Sequence, residues 1–364
     1  MESKMKSRLF IVSGPSQLLF LSAALLKNKE LETEDFKDVI LFKGKDIDSH
    51  KRSINLQIAH KVWNWHNILW LKEINFYNNS SQKKSVKKQF DSVDEIWVCM
   101  PYGLEELSLS VLFPSAKIVY FDDGLGSYAI PNTLKGYLKK PSFLKKKFSL
   151  YFKRTTQALK DVFKDKTFKM PSFSYYQRYM LFSEFSKNEV LPSKRVIVDW
   201  YYLKIQLVKC KVDINTHLQL KNKKTCLILG QYFSLFGYIN RTQELQHYIK
   251  LCKNLESRGY AIIWKEHPKN SKPFYKDLKE EISSIQNLND YYDDAIPIEL
   301  IVSNLDVQLY LAATSTSLVI LDKVFNYKVC SSAPLLEPYM VGADKFVANL
   351  LITKLDEDQL LKHL

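Results

Sequence analysis

Three polar clusters hold the residue types that acid–base and phosphate chemistry needs. Asp122-Asp123-Gly124-Leu125-Gly126 sets two adjacent carboxylates beside two glycines. Carboxylates so placed can hold a metal or set one general base against a substrate hydroxyl, and Gly124 and Gly126 would let backbone approach closely. An Asp/Gly run is equally at home in a plain turn. Lys265-Glu266-His267-Pro268 presents an imidazole whose backbone is pushed toward extended geometry by the proline after it. Such a histidine can protonate a departing phosphate oxygen, or it can be an ordinary polar loop residue. Thr314-Ser315-Thr316-Ser317 is an unbroken hydroxyl run. Hydroxyls and free N–H groups at a helix start bind phosphate, although Ser and Thr there also serve as simple N-caps.

Other chemistries lack their signatures. The sequence has no G-x-x-x-x-G-K-[ST] phosphate loop, no G-x-G-x-x-G fingerprint and no G-x-S-x-G nucleophile elbow. His60 and His66 are not at i, i+4 spacing with a Glu partner, so no zincin site is expected. The cysteines Cys99, Cys210, Cys226, Cys252 and Cys330 form no C-x-x-C pair, and three of them sit in apolar stretches, which fits free thiols in a reducing compartment.

The elements around the clusters explain why they matter. Arg8–Val12 reads as a buried strand, followed by a helix opening near Pro15 with Leu18, Leu19, Leu21, Leu25 and Leu26 on one face. Val39–Phe42, Ile68–Leu71, Glu95–Cys99 and Lys117–Phe121 read as further strands. Leu104, Leu107, Leu109 and Leu112 fit a helix, and residues 83–89 a solvated helix face. Residues 130–195 have little periodicity and read as a loop or insertion, with the basic, aromatic stretch KKPSFLKKKFSLYFKR at 139–154. Val196–Val208 is a helix or strand near a crossover. A second series begins near Lys224: strands Cys226–Leu229, Ala261–Lys265 and Val307–Ala312, helices Thr242–Arg258, Phe274–Ser284 and Leu318–Phe325, and another helix opening at Glu299–Val302. Short buried strands alternating with helices predict parallel α/β units, which bind ligands at the carboxyl ends of their strands. All three polar clusters fall at such ends.

At 364 residues the chain exceeds the usual single-domain size. The expected organisation is an N-terminal domain over 1–200, a C-terminal domain over 221–335, and a tail over 336–364 packing back on the first. Hydrophobic residues at 46% and charged residues at 25% fit a chain with a real core. The net charge of +14 and pI of 9.2 favour anionic partners without choosing among them. No run of about 18 apolar residues is present, so no spanning helix is expected. Gly14-Pro15-Ser16 interrupts the apolar N-terminus, which reads as strand, turn and helix in place of a secretion signal. A cytoplasmic location follows.

Taken in order, Asp122-Asp123-Gly124, His267-Pro268 and Thr316-Ser317 resemble the acidic-acidic-Gly, His-Pro and Ser/Thr motifs of bacterial sialyltransferases, including capsule polysialyltransferases and lipooligosaccharide sialyltransferases. The opening Phe10–Leu19 and the segment Val93–Tyr128 share that likeness, which is spread over residues 8–325. The resemblance implies a GT-B-like α/β fold, two Rossmann-type domains facing a central cleft. It implies inverting transfer of sialic acid, or a related nonulosonate, from a CMP-activated donor to a glycan. It implies no metal and no cofactor beyond the CMP-sugar co-substrate, in capsule or lipooligosaccharide biosynthesis. Matched residue by residue, Asp123 is the general base and His267 the general acid. Thr316 and Ser317, with Ser315 beside them, bind the phosphate, and Glu299 binds the CMP ribose. Lys265 and Glu266 lie near the cytosine, and Gly230 and Gln231 open the donor domain. Some relatives place the base near the first strand of the second domain; Gln231 and Tyr232 stand there in this chain, which favours Asp123. The basic stretch at 139–154 fits contact with an anionic membrane face or an anionic glycan. A transferase using another nucleotide sugar is the alternative; a basic nucleic-acid-binding protein is a weaker one, and no nucleic acid is expected as a partner.

Overall fold

The computed structural model describes residues 5–32, 34–44, 49–72, 90, 92–99, 109, 112–125, 177–183, 194–212, 224–231, 233–235, 237–267, 272–336, 340, 345, 347–349 and 351. These fall into two compact units, which meet in sequence at Cys210 and Lys211. The solvated face at 83–89, the basic stretch at 139–154, most of the helix read over Leu104–Leu112, Gly126, Tyr232 and Pro268 lie outside them.

In the first unit the described strands are β1 (Lys6–Val12), β2 (Phe36–Gly44), β3 (Asn67–Lys72), β4 (Glu95–Val98), β5 (Lys117–Phe121), β6 (Gln177–Met180) and β7 (Lys194–Ile197). They form one sheet in the order β3-β2-β1-β4-β5-β6-β7, with every pairing parallel. Leu9, Phe10, Ile11 and Val12 are fully buried, as an unbroken apolar run must be in a sheet covered on both faces. Helix α1 (Pro15–Leu31) starts on Pro15, whose missing N–H costs nothing at a helix start, and buries Leu18, Leu19, Leu21 and Leu25. Helices α2 (Ser49–Val62) and α3 (Trp200–Cys210) pack with it. The stretch Val196–Val208 thus divides into the end of an edge strand and most of a helix. Chain order reverses between β1 and β4, the arrangement of a Rossmann-type sheet.

The second unit holds β8 (Lys224–Leu229), β9 (Tyr260–Lys265), β10 (Gln286–Asn287), β11 (Leu309–Ala312) and β12 (Val329–Ser331), in the order β10-β9-β8-β11-β12, again all parallel. Helices α4 (Arg241–Ser257), α5 (Lys272–Glu281), α6 (Thr316–Phe325) and the short α7 (Ala333–Leu336) accompany them. Asn240 opens α4 with a capping box, accepting from the Gln243 N–H while the Gln243 side chain accepts from its own. Glu299–Val302 does not open an α-helix. It falls in two consecutive 3-10 turns, Ile298–Leu300 and Val302–Asn304, the first of which follows Pro297. Pro297 and the β-branched pair Ile301-Val302 do not favour a longer helix. Of the C-terminal residues, Leu336, Met340 and Ala348 join a buried cluster with Phe233, Tyr238, Ile239, Ala313 and Ala333 of this unit. All five cysteines are buried thiols outside any disulfide.

Candidate active site

In the first unit the two adjacent aspartates separate into different tasks. Asp122 is buried at the end of β5, and its carboxylate accepts from Arg178 Nη2 at 3.2 Å and from the N–H groups of Leu181 and Phe182 at 2.8 and 3.2 Å. Arg178 also lies over the Tyr120 ring at 4.6 Å. Asp122 therefore ties β5 to β6 and the turn after it. Asp123 is half-buried, and its Oδ1 accepts from Gln17 Nε2 at 2.7 Å. The other end of that amide, Gln17 Oε1, accepts from the Ser13 N–H at 2.6 Å. One side chain in the first turn of α1 thus fixes both the loop after β1 and the carboxylate after β5. Gly124 follows at φ 115°, a conformation that only glycine adopts without strain.

The second unit brings three strand ends together. Its chain order reverses between β8 and β11, the place where open α/β sheets bind ligands. Gln231, just after β8, spans that point. Its Oε1 accepts from the N–H groups of Ala313 and Thr314 at 3.1 and 2.6 Å, and its Nε2 donates to Thr314 Oγ1 at 3.0 Å. The Gln231 backbone is held in turn by the Tyr248 hydroxyl, which donates to its carbonyl at 2.8 Å. Gly230 has no room for a side chain: a Cβ there would lie 2.5 Å from the Trp264 ring. Its N–H donates to the Lys265 carbonyl at 2.8 Å, so β8 and β9 leave the sheet side by side.

Beyond β11 the hydroxyl run leads into α6. Ser315 is the N-cap, its Oγ accepting from the Ser317 N–H at 3.3 Å, and Thr314 through Ser317 are half-buried. A capping role does not preclude an anion-binding helix start, because one cap satisfies only part of a first turn's N–H groups. Lys265 is buried, and burial lowers the pKa of its ammonium; the nearby Glu299 carboxylate offsets part of that. Glu299 itself is only 8% exposed, and its carboxylate makes no hydrogen bond among the described residues. Glu266 and His267 are half-buried at the end of β9.

The structure thus places Gly230, Gln231, Lys265, Glu266, His267, Glu299, Ser315, Thr316 and Ser317 in the second unit and Asp123 in the first. Sequence reasoning missed the supporting residues. Gln17 stood inside the Phe10–Leu19 stretch, but nothing in the chain paired it with a residue over a hundred positions on. Arg178 lay in the segment without periodicity.

The model of the alpha-2,8-polysialyltransferase family matches residues 8–333. The chain belongs to the alpha-2,8-polysialyltransferase family. It is a sialyltransferase, acting by transfer from CMP-sialic acid. No curated protein matches it. Among solved structures, a protein described as a UDP-N-acetylglucosamine 2-epimerase from Listeria monocytogenes has a TM-score of 0.54 at 9% identity, over 98% of this chain and 89% of that one. The MnaA–UDP complex of S. aureus has a TM-score of 0.50 at 12% identity, over 99% and 90%. A sialyltransferase GT-B domain from Photobacterium damselae has a TM-score of 0.49 at 12% identity, over 96% and 97%. The first two, nearly end to end, show that the sialyltransferase has a GT-B fold.

Proposed function

We propose that this sialyltransferase inverts configuration at the anomeric carbon, with Asp123 as general base and His267 as general acid. The acceptor hydroxyl attacks that carbon and its proton passes to the Asp123 carboxylate. The bond from the anomeric carbon to the phosphate oxygen breaks, and His267 gives that oxygen a proton as CMP leaves. A base and an acid of this kind each contribute about 10²–10⁴ in rate. Thr316, Ser317 and the N-terminus of α6 would hold the phosphate, with Ser315 fixing the turn, and would stabilise charge growing on it. Glu299, whose carboxylate makes no hydrogen bond among the described residues, suits the ribose hydroxyls. The backbone at Lys265-Glu266 would face the cytosine.

The observation that carries this reading is the Gln231 amide, which joins the ends of β8 and β11 and fixes the hydroxyl loop at the strand-order reversal. Asp122 is engaged by Arg178 and two backbone N–H groups at the strand end, while Asp123 is the half-buried member of the pair. That supports a base in preference to a metal site, and transfer independent of metal.

The donor is CMP-sialic acid or a related CMP-linked nonulosonate, and the acceptor a glycan in capsule or lipooligosaccharide assembly. No described helix is long and apolar enough to cross a membrane. We place the enzyme in the cytoplasm, in peripheral contact with the inner membrane face through its basic residues. The test is transfer and CMP release across a panel of CMP- and UDP-sugars, with and without EDTA. Turnover of CMP-sialic acid that survives EDTA is expected. Turnover of a UDP-sugar alone, or a requirement for added magnesium or manganese, would overturn the reading.

A further inference from the structure

We propose that Asn287 and Asn289 are positioning residues for the donor site, clamping Glu266 by backbone and side chain so that the Lys265–His267 segment is held toward the donor. The inference rests on the reading that this segment faces the CMP moiety. Strand β10 is two residues long, and its register with β9 ends with Asn287 opposite Trp264. The parallel ladder stops there, two residues before Glu266. The Asn289 side chain continues it: the Glu266 N–H donates to Asn289 Oδ1 at 2.9 Å. Asn287 Nδ2 donates to Glu266 Oε1 at 2.8 Å, and Asn287 Oδ1 accepts from the Asn289 N–H at 3.0 Å. Both amide orientations are fixed by chemistry, because a backbone N–H can meet only an acceptor. Each asparagine takes one backbone N–H, and Asn287 presents its remaining donor to the carboxylate. Asn287 is buried, and it also opens the 3-10 turn Leu288–Asp290 that carries Asn289.

The clamp predicts a charge-sensitive defect. Asn287→Asp would set a second carboxylate against Glu266 at the position of the present donor. Among the described residues, the other charged or titratable groups nearby are Lys265, with Glu299, Asp293 and Asp294 around it, His267, Asp290 on the turn, and Tyr275 on α5, whose hydroxyl feels both Asp290 and Glu266. Steady-state transfer from CMP-sialic acid to a glycan primer is measured for wild type, Asn287→Asp, Asn287→Asp with Glu266→Gln, and Asn289→Ala, with thermal melts on each. At pH 8, Asn287→Asp is expected to raise the donor KM by about tenfold, the scale of one lost charge-assisted hydrogen bond. Acidification, which lets the two carboxylates share a proton, should recover it. Glu266→Gln in the same chain should recover it at pH 8, because donor and acceptor have merely changed sides. Asn289→Ala should raise donor KM with no pH dependence of its own. Single variants with wild-type KM at every pH, or a double variant that folds and shows no recovery, would overturn the proposal. If Asn287→Asp does not fold, Asn289→Ala decides by the same KM readout. A wild-type enzyme that neither binds CMP nor turns over CMP-sialic acid would instead sink the reading of the site.

Discussion

At the scale of single residues, the Asp122-Asp123 pair shows how neighbours of one type acquire different work. Asp122 is surrounded by donors, and Asp123 accepts from the Gln17 amide. Asp123→Ala should abolish transfer while CMP binding stays near wild type. Asp122→Ala should destabilise by about 3–5 kcal/mol, because Arg178 is left buried beside two orphaned N–H groups. A normal melt for Asp122→Ala together with lost turnover would reverse the two roles. Nothing in the doublet itself distinguishes them. Adjacent residues leaving a strand point to opposite sides, and which side is interior depends on β6, which the sequence left inside an unassigned stretch.

At the scale of elements, the strands were legible because buried parallel strands are short apolar runs with little polar alternation. The readings over Arg8–Val12, Lys117–Phe121, Cys226–Leu229 and Ala261–Lys265 lie within one or two residues of β1, β5, β8 and β9. The four-residue strands β6 and β7 were not separately legible. Gln177-Arg178-Tyr179-Met180 has no apolar run, although all four residues are buried: Gln177 donates to the Tyr179 hydroxyl within the strand, and Arg178 finds in Asp122 a partner that only the tertiary fold supplies. The site was legible as three clusters at strand ends, but not as the Gln231 brace that connects two of them. That brace gives the next prediction. Gln231→Leu keeps the bulk and leaves the Ala313 and Thr314 N–H groups without their acceptor. Donor KM should rise by about tenfold or more, since an unmade hydrogen bond at a buried amide costs about 1–3 kcal/mol, with a smaller change in kcat for saturating donor. Gly230→Ala should act on folding instead. Its methyl group meets the Trp264 ring, and overpacking of this kind costs about 1–3 kcal/mol. A melt unchanged by Gly230→Ala, or a Gln231→Leu enzyme with wild-type donor KM, would show that the strand-end geometry does not govern donor binding.

At the scale of the whole molecule, the +14 charge and two buried carboxylates each make a claim that can be measured. Lys145, Lys146 and Lys147 lie in the basic stretch outside the described residues. Their replacement by Glu should weaken binding to anionic liposomes if that stretch meets the membrane, each cation there contributing roughly 1 kcal/mol. A rise in acceptor KM with liposome binding unchanged would assign it to the glycan. Two of the buried carboxylates, Glu95 in the first unit and Glu244 in the second, have raised pKa values. Burial raises both pKa values; the Trp97 hydrogen bond and Arg8 oppose this at Glu95, and the Ser234 and Phe233 N–H groups oppose it at Glu244. A carboxyl raised in the folded state binds more protons folded than unfolded between its two pKa values. Stability is then fully present below the unfolded value near 4.5 and declines as pH rises through the folded value. The same substitution should nonetheless act oppositely at the two sites. Among the described residues Glu95 uses one oxygen, accepting from Trp97 Nε1 at 2.8 Å, so Glu95→Gln can keep that bond and remove the cost of a buried charge. Its melting temperature should exceed wild type at pH 7 by more than at pH 4. Glu244 uses both oxygens, accepting from the Phe233 N–H at 2.6 Å and the Ser234 N–H at 2.9 Å. Glu244→Gln turns an amide NH₂ against one of those N–H groups and should lower the melting temperature at both pH values, by an amount equivalent to about 1–3 kcal/mol. Equal shifts from the two variants, or a Glu95→Gln difference that does not grow with pH, would mean that the ionisation of these carboxyls does not set the stability of either unit.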